Sequence, residues 1–82
     1  MAVVHRLGAL RFVIYTLDHR PAHVHVIGPD GQARIDLGAV TGMPEVMSNV
    51  GLSNADLRRA FRETVAERVR LIEAWKAIHG AV

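Results

Sequence analysis

The first half of the chain alternates between hydrophobic and polar positions in short runs, as β-strands with one buried face do. Residues 10–16 are rich in β-branched and aromatic side chains, and residues 23–27 and 33–37 alternate between apolar and polar positions. The last two runs are separated by Gly-Pro-Asp-Gly at residues 28–31, a strong β-turn sequence. We therefore predict three strands, the second and third of which form an antiparallel hairpin. A short fourth strand is predicted near residues 45–49.

After residue 53 the spacing of apolar residues changes to a helical period. Ser53 is a good N-cap with Asp56 in the first turn, and Gly80 is a typical C-terminal stop. One helix is therefore predicted over residues 54–79, with a break near residues 64–67 as an alternative. Its apolar stripe covers about half of the circumference. The stripe consists of Leu57, Ala60, Phe61, Val65, Val69, Leu71, Ile72, Trp75 and Ile78.

These elements predict an α+β fold in the order β-β-β-(β)-α, with a small antiparallel sheet of three to four strands packed against one long C-terminal helix. Residues 1–82 are expected to form a single domain, in which residues 1–9 are a loosely ordered N-terminus. The apolar stripe of the helix is wide for so small a sheet to cover. A homodimer is one way to bury the remainder.

The composition limits how so short a chain can be stabilised. Half of the 82 residues are hydrophobic, which excludes an intrinsically disordered protein. A domain of this size has a small core and commonly gains stability from a disulfide, a metal ion or a partner subunit. The sequence has no cysteine, which excludes disulfides and thiolate metal sites. A metal ion on histidine and carboxylate ligands, a partner chain and a well-packed core remain as alternatives.

The charge balance gives little support for a dedicated nucleic-acid binder. Ten basic and eight acidic residues give a net charge of +2, and the excess, nearly all arginine, lies in residues 53–82. A solvated helix face with Glu–Arg pairs one turn apart is the preferred interpretation. The sequence shows neither a targeting segment nor an apolar run long enough to cross a membrane, so we expect a cytoplasmic protein without membrane contact.

Three of the five histidines fall within seven residues, and they are the main candidates for a functional site. His23 and His25 lie two residues apart on a predicted strand, so both side chains point to the same face of the sheet. A four-residue turn places His25 opposite Arg34. The same register places His23 opposite Asp36. The hairpin is thus predicted to display a polar patch, which His19 in the preceding loop can join.

Three interpretations of this patch are open. In the first, His19, His23 and His25, with Asp36 as a further candidate ligand, chelate a divalent metal ion such as zinc and leave a coordination position open. In the second, His23 and His25 act as general acid and base, assisted by Asp36. With Arg34 to neutralise phosphate, that arrangement suits RNA cleavage through the 2′-hydroxyl group. In the third, the histidines are ordinary solvent-facing strand residues with Asp36 as a cross-strand partner.

Arg68 lies close to the middle of the apolar stripe, where an unpaired charge is costly. Its aliphatic stem can carry the charge to the edge of the stripe, or the guanidinium can pair with a carboxylate such as Asp18 or Asp36. A contact with a ligand or a second subunit is the third alternative. His5 and His79 are isolated from the other histidines and are interpreted as structural.

The sequence Asp-His-Arg-Pro-Ala-His-Val-His of residues 18–25 resembles the D-H-x-P-x-H-x-H motif of DUF4160, a bacterial family of domains of unknown function. The resemblance covers about residues 10–79. It includes an early strand of aromatic and β-branched residues and an Ile-Asp pair, which Ile35 and Asp36 match. It also includes a C-terminal helix that ends near a tryptophan, which Trp75 matches.

The chain departs from the family pattern at three places. It has Ala22 where many members have a second proline, Val24 where many have phenylalanine, and a longer loop over residues 39–52. These departures leave the histidines in place.

The resemblance implies a role rather than a reaction. Members are small proteins, often encoded beside another small domain and suspected of belonging to toxin–antitoxin-like modules. For this chain it implies a component of such a module that acts through a cognate small protein encoded nearby, with RNA as the target if it is the toxin half. The functional set that it implies is Asp18, His19, His23 and His25, with Pro21 shaping the loop.

Overall fold

The computed structural model describes all of residues 1–82 and contains five strands followed by two helices. The elements are β1 (Ala2–Leu7), β2 (Leu10–Ile14), β3 (His23–Ile27), β4 (Gln32–Asp36), β5 (Glu45–Val50), α1 (Asn54–Ala66) and α2 (Arg68–His79). The strands form one antiparallel sheet in the order β1-β2-β3-β4-β5. The α+β class and the antiparallel sheet are as predicted. The sheet has five strands rather than three to four, however, and the chain ends in two helices rather than one.

The β3–β4 hairpin has the register expected from its turn and its alternation. His25 lies opposite Arg34, and Val24 lies opposite Ile35. Val24 and Ile35 belong to the buried core, because they face the layer formed by the helices. The alternation leaves the other face of the sheet to polar side chains such as His25 and Arg34.

The core lies between the sheet and the two helices. Its largest fully buried side chains are those of Trp75 on α2 and Phe12 on β2. The complete cluster is Leu10, Phe12, Ile14, Ala22, Val24, Val26, Ala33, Ile35, Leu37, Leu52, Ala60, Leu71 and Trp75. Only one face of the sheet is covered in this way, so the arrangement is a two-layer α+β fold.

The N-terminal segment, predicted to be loosely ordered over residues 1–9, is largely an edge strand. β1 pairs with β2 along its length, and Arg70 of α2 donates a hydrogen bond to the Val4 carbonyl oxygen at 3.2 Å. Val4 also packs against the core. The prediction was wrong because the partners that order β1 include a helix residue more than sixty positions away in the chain.

The helix predicted over residues 54–79 is divided at Glu67, within the range where the sequence allowed a break. The buried Thr64 hydroxyl donates to the Ala60 carbonyl oxygen at 2.8 Å, a contact that bends helices. Glu67 itself has φ −104° and ψ 16° and joins the two helices. The predicted ends are confirmed, since Ser53 caps α1 and Gly80 ends α2 with φ 77°. Neither helix has the length and apolarity that a membrane-spanning helix needs.

Candidate functional site

Asp18 lies at the centre of a cluster of polar side chains between β2 and β3. Its backbone N–H donates to the Tyr15 carbonyl oxygen at 3.1 Å, and its Oδ2 accepts from the Tyr15 N–H at 2.9 Å. This turn directs the other carboxylate oxygen, Oδ1, towards two histidines of β3. Oδ1 lies 3.1 Å from His25 Nε2 and 3.5 Å from His23 Nε2. We call Asp18, His23 and His25 the His–Asp cluster.

His23 is almost fully buried, with 2% of the residue exposed. Its Nδ1 lies 2.8 Å from the carbonyl oxygen of Pro21, a residue that follows a cis peptide bond. A carbonyl oxygen can only accept a hydrogen bond, so Nδ1 must carry the proton. In the neutral ring, Nε2 therefore presents a lone pair, and Asp18 Oδ1 lies 3.5 Å from this nitrogen.

His25 is the more accessible of the two histidines, with 22% of its side chain exposed. Its Nε2 donates to Asp18 Oδ1, because an ionised carboxylate can only accept. The ring makes edge contacts with the Tyr15 ring, at a centroid distance of 4.8 Å, and with the His23 ring at 5.1 Å. A ligand that reaches the cluster from solvent therefore meets His25 first.

The surroundings favour an ionised Asp18 beside an uncharged His23. Burial alone raises the pKa of Asp18, but the Tyr15 N–H, the hydrogen bond from His25 and the attraction that either histidine exerts when protonated together hold that pKa below its ordinary value. Burial is the main cause that lowers the pKa of His23, with Arg34 and His25 acting in the same direction. The Pro21 carbonyl and Asp18 oppose it without reversing the shift.

The structure brings together only some of the residues proposed from the sequence. The donor atoms of Asp18, His23 and His25 all lie within 4.8 Å of one another. His19, proposed as a third histidine ligand, is exposed and outside this group. Asp36 lies opposite His23 in the hairpin, but its carboxylate accepts from the Gly38 N–H at 2.7 Å. The acidic partner of the histidines is thus Asp18 and not Asp36.

The two arginines proposed for binding have different surroundings. Arg34 forms no ion pair, and its buried Nε has no hydrogen-bond partner. It is close enough to His23 to lower the pKa of that ring. Arg68 instead donates to the Leu37 carbonyl oxygen at 2.9 Å and to the Gly38 carbonyl oxygen at 2.7 Å. Its role in the structure is to join α2 to the end of β4.

A stack of aromatic rings supports the cluster from the side of α2, and sequence reasoning did not find it. The Trp75 ring lies 5.0 Å from the His23 ring and 4.1 Å from the His79 ring, measured between centroids. His79 Nε2 donates to the Tyr15 carbonyl oxygen at 3.1 Å. Only the helical spacing of Trp75 and His79 was visible in the sequence. Nothing in that spacing showed which part of the sheet the pair would meet.

A second group of polar side chains joins β1 to the helices. His5 Nε2 lies 2.5 Å from Glu63 Oε2, and Arg70 contacts His5 Nδ1. Because arginine can only donate, Nδ1 accepts and the His5 proton lies on Nε2. Glu67 is close to the same group and pairs with Arg70 at 3.6 Å. Because the Arg70 guanidinium occupies the second ring nitrogen of His5, this group serves to link β1 to the two helices. His5 therefore has the structural role expected from the sequence.

The comparison with known families covers the whole of this site. Residues 9–79 match the family described as a domain of unknown function, DUF4160. The chain belongs to this family. The DUF4160 match includes all three residues of the His–Asp cluster and every element except β1. Neither the curated proteins nor the solved structures contain a match to the chain.

Proposed function

We propose that the His–Asp cluster binds one divalent transition-metal ion through Asp18, His23 and His25, and that zinc is the ion that fits these donors. Two imidazoles and one carboxylate are typical ligands of zinc sites that keep a position open for water or substrate. The open position would lie on the side of His25, which is the solvent-accessible member of the cluster.

The observation that supports this proposal is the fixed tautomer of His23. With its proton on Nδ1, bound to Pro21, the neutral ring has a lone pair on Nε2, which lies 3.5 Å from an ionised carboxylate oxygen of Asp18. Two electron pairs at that distance repel each other unless a cation lies between them. Metal-bound histidines commonly donate the other ring N–H to a carbonyl group in this way.

Two of the three distances between the donor atoms agree with tetrahedral coordination. Ligand atoms about 2.0–2.1 Å from a zinc ion at the centre of a tetrahedron lie about 3.3 Å from one another. The two edges that meet at Asp18 Oδ1 measure 3.1 Å and 3.5 Å. A metal ion on His25 Nε2 would require the ring proton to move to Nδ1. In acid, protons compete with the ion for the ligand atoms, so affinity should fall.

Elemental analysis of protein purified without a histidine tag tests this proposal. We expect about one zinc ion per chain after dialysis against trace zinc, and loss of the ion in His25→Ala and in His23→Ala. His19→Ala is the matched control, because this exposed histidine lies in the same motif but outside the cluster. Trp75 is the single tryptophan and contacts His23, so its fluorescence should change on titration with zinc. Less than about a tenth of an ion per chain in the wild type would overturn the proposal.

The surroundings of Arg34 favour a second candidate function, the cleavage of RNA by a toxin–antitoxin-like component. Arg34 lies opposite His25 and has no carboxylate partner, so it could neutralise a phosphodiester beside the histidines. One imidazole would take the proton of the 2′-hydroxyl as this oxygen bonds to phosphorus. The other would protonate the departing 5′-oxygen as its bond to phosphorus breaks, leaving a 2′,3′-cyclic phosphate.

Growth experiments test this second candidate. The gene is expressed with and without its neighbour in a bacterial host, beside a His23→Ala, His25→Ala double variant and the His19→Ala control. We expect wild type and His19→Ala to slow growth when the neighbouring partner protein is absent, and the double variant to be harmless. If no combination affects growth, the toxin role is excluded, whereas the metal proposal is decided by elemental analysis alone.

A further inference from the structure

The two edges of the sheet differ in how they are protected. The β1 edge lies against α2, where Arg70 donates to the Val4 carbonyl oxygen. The backbone hydrogen bonds that pair β5 with another strand go only to β4, and no hydrogen bond from another element covers its outer edge. An uncovered edge strand offers its free N–H and C=O groups to any chain that can add a further strand.

Apolar side chains are concentrated around this open edge. Four of the exposed large hydrophobic residues of the molecule lie on β5 or in the loop that precedes it, namely Val40, Met43, Met47 and Val50. On the helix side of the sheet, a groove of about 360 Å³ lies between β5 and α1. Val46, Leu57 and Phe61 form its apolar floor, and each of them is only partly buried.

The charges at this groove are all of one sign. Arg58 and Arg62 line it, and neither of them forms an ion pair. They are one helical turn apart on the same face of α1, where two like charges repel each other. Their neighbour Arg59, in contrast, pairs with Asp56 at 3.2 Å. The groove therefore combines an apolar floor with two uncompensated positive charges.

We propose that the β5 edge and this groove bind an extended segment of a partner protein, which adds a sixth strand to the sheet and carries both apolar and acidic side chains on the face towards the helices. Every second side chain of this strand would face the groove, where apolar residues would pack on Val46 and Phe61 and acidic residues would reach Arg58 and Arg62. Backbone pairing would supply affinity, and the two arginines would select for negative charge. This surface does not include the His–Asp cluster, so the proposal is independent of the metal and RNA proposals.

A second copy of the chain is a poorer occupant than an acidic partner. A two-fold dimer through β5 places the same surface against itself, so the arginines of both copies would approach one another. The β5 sequence, Glu-Val-Met-Ser-Asn-Val, offers one carboxylate against them. The charge of the groove thus favours a partner whose sequence supplies several acidic residues.

Fluorescence anisotropy with defined peptides tests the proposal. The probe is a labelled valine–glutamate peptide about eight residues long, enough to pair with all of β5, in which valine and glutamate occupy every second position in turn and serine fills the positions between them. We expect it to bind, a valine–lysine peptide not to bind, and a version with methylated backbone nitrogens to lose affinity because it cannot pair as a strand. In the double variant Arg58→Gln, Arg62→Gln, the affinity for the valine–glutamate peptide should fall by about tenfold or more. Added salt should weaken binding of the peptide to the wild type.

The charge-matched control is the double variant Arg6→Gln, Lys76→Gln. It removes two exposed positive charges that lie outside the groove. This control should bind the valine–glutamate peptide like the wild type. Equal affinities of the two double variants, or no binding at about 1 mM protein, would overturn the proposal. The proposal would also be overturned if light scattering showed that the wild type is a dimer and that Met47→Lys dissociates it. A second copy of the chain would then occupy the β5 edge.

Discussion

His23 shows how a single residue acquires a defined chemical state from its neighbours. The Pro21 carbonyl fixes the ring proton on Nδ1, and burial beneath Trp75 disfavours a second proton on Nε2. Asp18 provides an ionised oxygen next to that nitrogen. The same three contacts would hold the ring in the tautomer and orientation that a metal ligand needs.

The lowered pKa of His23 predicts that the metal-free protein loses stability in mild acid. Between the folded-state pKa and its ordinary value of 6.5, the unfolded chain binds a proton that the folded chain does not. This contribution to stability is complete above pH 6.5 and is lost as the pH falls towards the folded-state pKa. His23 should therefore add a slope of at most about 1.4 kcal/mol per pH unit to the free energy of unfolding.

Urea denaturation in the presence of a chelator, from about pH 7 to about pH 5, measures this slope. His23→Gln should remove the contribution of His23. His19→Gln, which changes an exposed histidine, should leave the slope of the wild type unchanged. An identical slope in His23→Gln and in the wild type would show that His23 does not titrate in this way.

At the scale of elements, the two tight connections of the sheet depend on each other. Gly31 in the β3–β4 turn and Gly51 after β5 are in direct backbone contact. A Cβ atom added to Gly31 would lie 2.1 Å from the Val50 carbonyl oxygen, and one added to Gly51 would lie 2.4 Å from the Asp30 carbonyl oxygen. The hairpin turn therefore packs against the segment that leads into α1.

Gly51→Ala and Gly42→Ala form a matched pair that separates backbone strain from crowding. Both glycines have φ near +90°, but a Cβ atom at Gly42 meets nothing within 4 Å. Gly42→Ala should cost about 1–2 kcal/mol from the left-handed backbone alone. Gly51→Ala should cost about 1–3 kcal/mol more, because the backbone of the β3–β4 turn must move. Urea denaturation measures the loss in the free energy of unfolding for each variant. Equal losses would contradict the close backbone contact between Gly51 and the β3–β4 turn.

At the scale of the whole molecule, polar contacts between distant residues hold the helix layer on the sheet. Arg68 joins α2 to the end of β4, His79 joins it to the end of β2, and the His5–Glu63 pair joins α1 to β1. Each of these contacts is partly buried. Together they limit how the helices can slide over the core.

Arg68→Met tests the strongest of these links. Methionine keeps most of the aliphatic stem but removes two charge-assisted hydrogen bonds and leaves the Leu37 and Gly38 carbonyl groups without those donors. We expect a loss of about 2–4 kcal/mol in the free energy of unfolding. Lys76→Met on the same helix removes only an exposed pair with Glu73 and should change stability by less than about 0.5 kcal/mol. Similar effects of the two variants would exclude a structural role for Arg68.

The sequence alone determined the features that depend on neighbouring residues. The apolar alternation and the four-residue turn predicted the register of the β3–β4 hairpin, including His25 opposite Arg34. The ends of the helical region at Ser53 and Gly80 were also predicted, because caps are local chemistry. The pairing of His23 and His25 on one strand followed from the two-residue period.

Only the tertiary structure decided which distant side chains meet. It placed Asp18 rather than His19 beside the histidines, gave Arg68 two carbonyl partners instead of a carboxylate, and ordered β1 against β2 and α2. Spacing along the chain constrains directions within one element, because the backbone geometry there is regular. Contacts between a loop, a strand edge and a helix depend instead on how the layers pack, and that packing is a property of the whole core.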